Sequence, residues 1–162
     1  MKLLITRDTS NANSAFLVYD ECENLLFNIS GKYSSSVRKL RAITRNGKCV
    51  MKISSTPELV GKLAFNVLTC DSAFVVTIKL KSDALSLKIH GAKLFFRGNL
   101  MDRTFEITDV SSKVLACHKP EAGKRGRYTL EIFSDTQLIS LLGIAICADL
   151  LSFSDSAAVC RA

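Results

Sequence analysis

Six cysteines, two histidines and one segment dense in lysine and arginine are the residues of this chain whose types could do chemistry. Cys22, Cys49, Cys70, Cys117, Cys147 and Cys160 lack the C-x-x-C spacing that a zinc site or a dithiol redox centre requires. They read as free thiols serving as small buried hydrophobes beside apolar runs, with no disulfide framework. His90 and His118 lie in no metal or nucleophile motif, and each reads as a strand-surface or hydrogen-bonded histidine. No H-E-x-x-H, G-x-S-x-G or phosphate-binding loop occurs. The expectation is a non-enzymatic protein with no catalytic residue, no metal and no cofactor.

The cations remain. The chain has 22 basic against 15 acidic residues, a formal charge of +7 and a pI near 9.2, a balance that favours anionic partners. If Leu40, Ala42, Cys49, Met51 and Ile53 point inward from two adjacent strands, alternation puts Lys39, Arg41, Arg45, Lys48 and Lys52 on the outside of one hairpin, beside Ile43 and Val50. Such a cluster suits anionic lipid head groups, with each charge near an anionic surface contributing about 1 kcal/mol. Outward lysines and arginines also guard sheet edges and keep them soluble, which is the competing reading of the same residues. Lys79 and Lys81 serve as the comparison pair away from the hairpin. A second basic loop, Lys124, Arg125 and Arg127 beside Gly123 and Gly126, reads as a solvated turn.

Positioning these side chains falls to strands. From Leu3 to Phe133 the sequence runs in short segments rich in Val, Ile, Leu, Phe, Thr and Tyr, cut by Asn, Asp, Gly or Ser clusters. Twelve strands are expected, at Lys2–Arg7, Ala15–Asp20, Asn24–Ser30, Ser36–Arg45, Lys48–Ser54, Leu63–Thr69, Ala73–Lys81, Ala84–His90, Lys93–Gly98, Arg103–Asp109, Lys113–Lys119 and Gly126–Phe133. An even number of strands permits an up-and-down closure with no unpaired edge. Phe74, Val76, Ile78 and Leu80 alternate with Thr77, Lys79 and Lys81, which marks one apolar and one wet face. The strings starting at Val18 and Ala42 align as strand, short turn, strand, and a third copy begins at Ile107 with Asp109 where the first has Asp20. Duplication and common turn chemistry explain this likeness equally well.

Ser134 and Gln137 have the spacing of a capping box, so a helix is expected from Asp135 to Leu151. Its apolar run from Leu138 is broken by Ser140, Gly143 and Asp149, which form no broad polar face, so the helix must be surrounded. The run spans roughly 21 Å, short of the roughly 30 Å of a bilayer core, and reads as a core helix. Asp149, near the negative end of the helix dipole, calls for a cationic or backbone partner. The segment Ser152–Ala162 reads as a loose end. Met1–Arg7 turns polar too early for a secretory signal, and a cytoplasmic location is expected.

These elements give a mainly β fold: a single domain over residues 1–162, with a twelve-stranded antiparallel β-barrel closed around a central apolar C-terminal α-helix. The strings VYDECENLLFNISG, LRAITRNGKCVMKI, FFRGNLMDRTFEITDVSSKVLACHKP and GRYTLEIFSDTQLISLLGIAICADLL resemble the LURP-one-related family of the tubby C-terminal-like superfamily. The last two carry the resemblance most specifically, through Gly98, the turn at Asp102 and Arg103, Tyr128 and the helix with Asp149. Where the family's first hairpin has a turn glycine this chain has Glu23, while the second hairpin keeps Asn46 and Gly47. The resemblance implies phosphoinositide binding, as in tubby-type domains, or lipid-associated behaviour, as in the related scramblases, with Lys39 and Arg41 resembling the superfamily's basic pair. The expected function is a binding module for anionic lipid or phosphoinositide head groups, attached peripherally to a membrane at most. The alternatives are a structural or protein-interaction domain, or nucleic-acid binding, which is weaker because the aromatic residues belong to the core.

Overall fold

A computed structural model describes residues 1–8, 14–33, 38–56, 62–81 and 84–150. The strands are β1 (Lys2–Arg7), β2 (Ser14–Tyr19), β3 (Leu25–Tyr33), β4 (Arg38–Thr44), β5 (Cys49–Thr56), β6 (Lys62–Thr69), β7 (Ala73–Lys81), β8 (Ala84–His90), β9 (Phe95–Asn99), β10 (Thr104–Thr108), β11 (Val114–Pro120) and β12 (Arg127–Ile132). A 3₁₀ turn, Asp135–Gln137, then leads into the helix α1, Leu138–Leu150. Leu151 and the segment Ser152–Ala162, with Cys160, lie outside the described residues.

Every sequence-adjacent pair of strands is antiparallel except β8 and β9, and β1 pairs with β12, so the meander comes round on itself in one twelve-stranded sheet. The barrel is nearly closed. Among the described residues no ladder joins β8 to β9, and this seam departs from the expectation of a barrel without edges. The connection between these two strands turns Leu94 into the core.

Alternation fills the interior: Leu3 and Ile5, Phe16 and Val18, Leu40 and Ala42, Met51 and Ile53, and Phe74, Val76 and Ile78 are all buried. They surround α1, in which every residue from Leu141 to Leu150 is buried and which packs on β5, β6, β11 and β12. Gly143 is what lets the helix backbone approach. A Cβ there would lie 2.8 Å from Met51 Sδ and 3.0 Å from Val67 Cγ1. The helix begins differently from expectation: Ser134 makes no side-chain cap, its hydroxyl stands 3.3 Å from Thr136 Oγ1, and the Gln137 N–H donates to the Ser134 carbonyl at 3.2 Å. No helix among the described residues is long and apolar enough to cross a membrane.

Three hairpin turns share one geometry. The Glu23, Gly47 and Ser112 amides donate to the carbonyls of Asp20, Thr44 and Asp109 at 3.1, 2.9 and 3.1 Å, and the amides of Asp20, Thr44 and Asp109 donate to Asn24, Lys48 and Lys113 at 3.0, 2.9 and 3.0 Å. A ladder irregularity precedes each turn, at Val18/Tyr19, Ala42/Ile43 and Ile107/Thr108. The repeated strings thus mark a repeated turn, and Glu23 at φ 62° stands where the second copy has Gly47 at φ 83°.

Candidate anion-binding face

On β3 to β8 every Lys, Arg, Asp or Glu is a lysine or an arginine; no Asp or Glu stands on these six strands. The other strands are mixed: β9 carries Arg97, β10 Glu106, β11 Lys119, β12 Arg127 and Glu131, and β1 Lys2 and Arg7. There the charges fall opposite one another in sign, with Glu106 across from Arg97 and Glu131 across from Lys2. On the basic half the ladder does the reverse. Arg41 stands directly across from Lys52, and Lys32 directly across from Lys39.

Lys32, Lys39, Arg41 and Lys52 are exposed on the outer face, because their neighbours Leu40, Ala42, Met51 and Ile53 are buried and successive side chains change sides. Like charges directly opposite oppose sheet formation, so the fold carries this arrangement at a cost that an anion would relieve. Arg45 and Lys48 are exposed too, but they sit in the β4–β5 turn at the end of the barrel and not on the sheet face. Cys49 does not follow Met51 inward. The register shift between Ala42 and Ile43 leaves it exposed across from Ile43, with its thiol 3.6 Å from the Met51 carbonyl. Cys22 and Cys70 are exposed in neighbouring turns, which corrects the expectation of buried thiols, while Cys117 is half-buried and Cys147 buried. Burial, then Glu106 and Glu131, hold the Cys117 thiol above its ordinary value; burial, then Asp149, push that of Cys147 far higher.

A second constellation closes the other end of the helix, and sequence reasoning did not assemble it. His118 is buried between Phe105 and Tyr128, with ring centroids 4.4 and 5.2 Å away. Its Nδ1 lies 2.7 Å from the Arg103 carbonyl, which can only accept, so Nδ1 carries a hydrogen. Nε2 stands 3.1 Å from Asp149 Oδ2, and one proton joins the two groups. The Arg103 guanidinium donates to the Ala148 carbonyl, placing a cation at the negative end of the helix. Gly98 (φ 135°) faces Phe105 so closely that a Cβ would lie 2.6 Å from its Cα. With His118, Phe105 and Tyr128 occupied by one another and by the helix end, this cluster fastens α1 to the sheet. Among the described residues no group of three or more His, Cys, Asp and Glu could hold a metal ion.

Gly98, Arg103, Tyr128 and Asp149, scattered along two stretches of sequence, thus meet at one place. The sequence pattern described as LURP-one-related matches residues 1–149. The chain belongs to the LURP-one-related family. Its fold is similar to that of a protein from Arabidopsis thaliana solved by X-ray crystallography, with a TM-score of 0.55, 16% identity and 90% of each chain covered. None of the curated proteins matches it in sequence. For this LURP-one-related chain the likeness in structure supplies the barrel and the central helix. The basic face was visible in the sequence as alternation about Leu40, Ala42, Met51 and Ile53. His118 and Asp149 were hidden by their separation of 31 residues; the one signal for them was a carboxylate at the wrong end of an apolar helix.

Proposed function

We propose that this LURP-one-related protein is a non-enzymatic binding module that takes anionic lipid head groups at a membrane surface, with Lys39, Arg41 and Lys52 on the sheet face and Arg45 and Lys48 on its rim. The observation that carries the reading is the pairing of like charges, Arg41 with Lys52 and Lys32 with Lys39, on strands free of acidic residues. Solubility needs no such pairing; mixed signs on β9 to β12 keep that side wet as well. The resemblance to tubby-type domains adds phosphoinositides to the candidate head groups. Each cation near the surface contributes about 1 kcal/mol and is screened within a Debye length of about 10 Å at moderate salt.

The test is co-sedimentation with phosphatidylcholine vesicles lacking or containing phosphatidylserine or a phosphoinositide, beside a nucleic-acid shift at the same salt. Binding is expected with acidic vesicles alone, and it should fade as salt rises. Because Lys79 stands on the acid-free half as well, the comparison pair is taken from the mixed side. Lys39→Glu with Arg41→Glu should weaken binding far more than Lys119→Glu with Arg125→Glu, the latter residue lying exposed in the β11–β12 turn, with folding unchanged in both. Absence of binding by the parent protein to every acidic vesicle overturns the proposal, and equal losses from both pairs reduce it to net charge.

A further inference from the structure

The basic half-barrel has an apolar residue in its midst. Leu68 on β6 is 52% exposed and stands directly across from Lys52, whose other neighbour in the ladder is Arg41. On its far side is Ala73, itself exposed and too small to cover a leucine. Arg41, Lys52, Leu68 and Ala73 therefore form one row across β4 to β7, with neighbouring strands about 4.8 Å apart. Met1, Leu25, Phe95, Met101, Val110 and Phe133 are the other large exposed apolar residues among those described. None of these has a cation directly across from it in a ladder: Leu25 faces Tyr19 and Phe95 faces Thr108, and the rest lie outside the paired positions.

A leucine open to water beside Lys52, with Arg41 one strand further on, matches the boundary of an anionic bilayer, where charges meet head groups and an apolar side chain reaches the acyl region beneath them. We propose that Leu68 enters the bilayer when the basic face docks, fixing the depth and orientation of the barrel. This inference rests on the proposed lipid-binding function and adds an apolar anchor to what would otherwise be contact through charge alone. A soluble polyanion offers Leu68 nothing to enter, so the same residue separates a membrane from nucleic acid or a free phosphate as the occupant of the face.

The chain has no tryptophan, so a single introduced one reports its own surroundings. Leu68→Trp and Val110→Trp, the latter at a residue 67% exposed in the β10–β11 turn, are titrated with phosphatidylserine vesicles carrying brominated acyl chains. The Leu68→Trp emission should shift to the blue and be quenched, while the Val110→Trp emission stays unchanged. In an otherwise unaltered chain Leu68→Gln should bind the same vesicles roughly five- to tenfold more weakly, with the thermal midpoint retained. If the parent and the Leu68→Trp variant both sediment with the vesicles but Leu68→Trp is unquenched, the anchor is wrong and the head-group reading stands. Equal quenching at both positions overturns the proposed orientation. Failure of the parent to sediment overturns the lipid-binding reading, and the anchor with it.

Discussion

Glu23 holds a left-handed backbone, φ 62°, that an L-residue adopts at a cost of about 1–2 kcal/mol. Its turn keeps it there. The Asp20 carboxylate accepts from the Asn24 side-chain amide at 3.0 Å and from the backbone amides of Cys22 and Asn24 at 2.8 and 2.9 Å, and these bonds, led by the one from the Asn24 side chain, hold the carboxyl below its ordinary value. Glycine lacks the steric cost but loses about 0.5–1 kcal/mol through the freedom it restores to the unfolded chain. The difference predicts that Glu23→Gly raises stability by about 0.5–1 kcal/mol, while Gly47→Ala, at φ 83°, lowers it. Urea unfolding midpoints check both signs, and a lower midpoint for Glu23→Gly would contradict the account. The turn itself was legible through Asp20, Asn46–Gly47 and Asp109, since these residue types follow from what a tight turn asks of its backbone. Glu23 was not, because nothing in its type signals a left-handed residue. Cys49 was misread for a related reason: alternation assigns a side to a residue only while the register holds, and a bulge intervenes.

The helix is the element on which the barrel depends. Its sides at Leu141, Leu142, Ile144, Ala145 and Ile146 are all fully buried, so no rotation of α1 could bring Leu142 to water. Leu142→Asp would bury an unpaired charge and is expected to abolish soluble folded protein, whereas Leu142→Ala should leave a folded protein about 2–5 kcal/mol less stable. Circular dichroism and gel filtration read the first, thermal or urea unfolding the second; an unchanged melting temperature for Leu142→Asp would refute the central position of the helix. The existence and burial of this element followed from its apolar run. Its first turn did not, because a Ser-x-x-Gln spacing permits a capping box without enforcing one, and here Ser134 closes a 3₁₀ turn through its backbone. The need of Asp149 for a partner was anticipated, but His118 comes from a strand whose pairing no local pattern reveals.

Across the molecule, the thiols report how the barrel divides inside from outside. Cys22, Cys49 and Cys70 are exposed at one end, where the β2–β3, β4–β5 and β6–β7 connections lie, while Cys147 is inside. Native protein should therefore modify quickly at Cys22, Cys49 and Cys70, slowly at Cys117 and at Cys147 only on unfolding, as read by mass spectrometry of labelled peptides. Denatured, unreduced protein should titrate with about six equivalents, one for each free thiol; a deficit would reveal a bridge. The twelve strands and their order were legible in the sequence because each apolar run and each turn cluster is local. The open seam was not, since whether two edges meet depends on the whole ring. That ring also sets how the chain must fold. The N-terminal amine of Met1 donates to the Ile132 carbonyl across 131 positions of sequence, and the pairing of β1 with β12 closes a loop that holds every other strand of the sheet. The hairpins can form early from neighbours, but the join between first and last strands waits on the longest loop, and contacts of such separation are slow to form. The rate at which this protein reaches its native state is thus expected to follow the search between its first and last strands, with the helix that fills the interior coming directly behind β12.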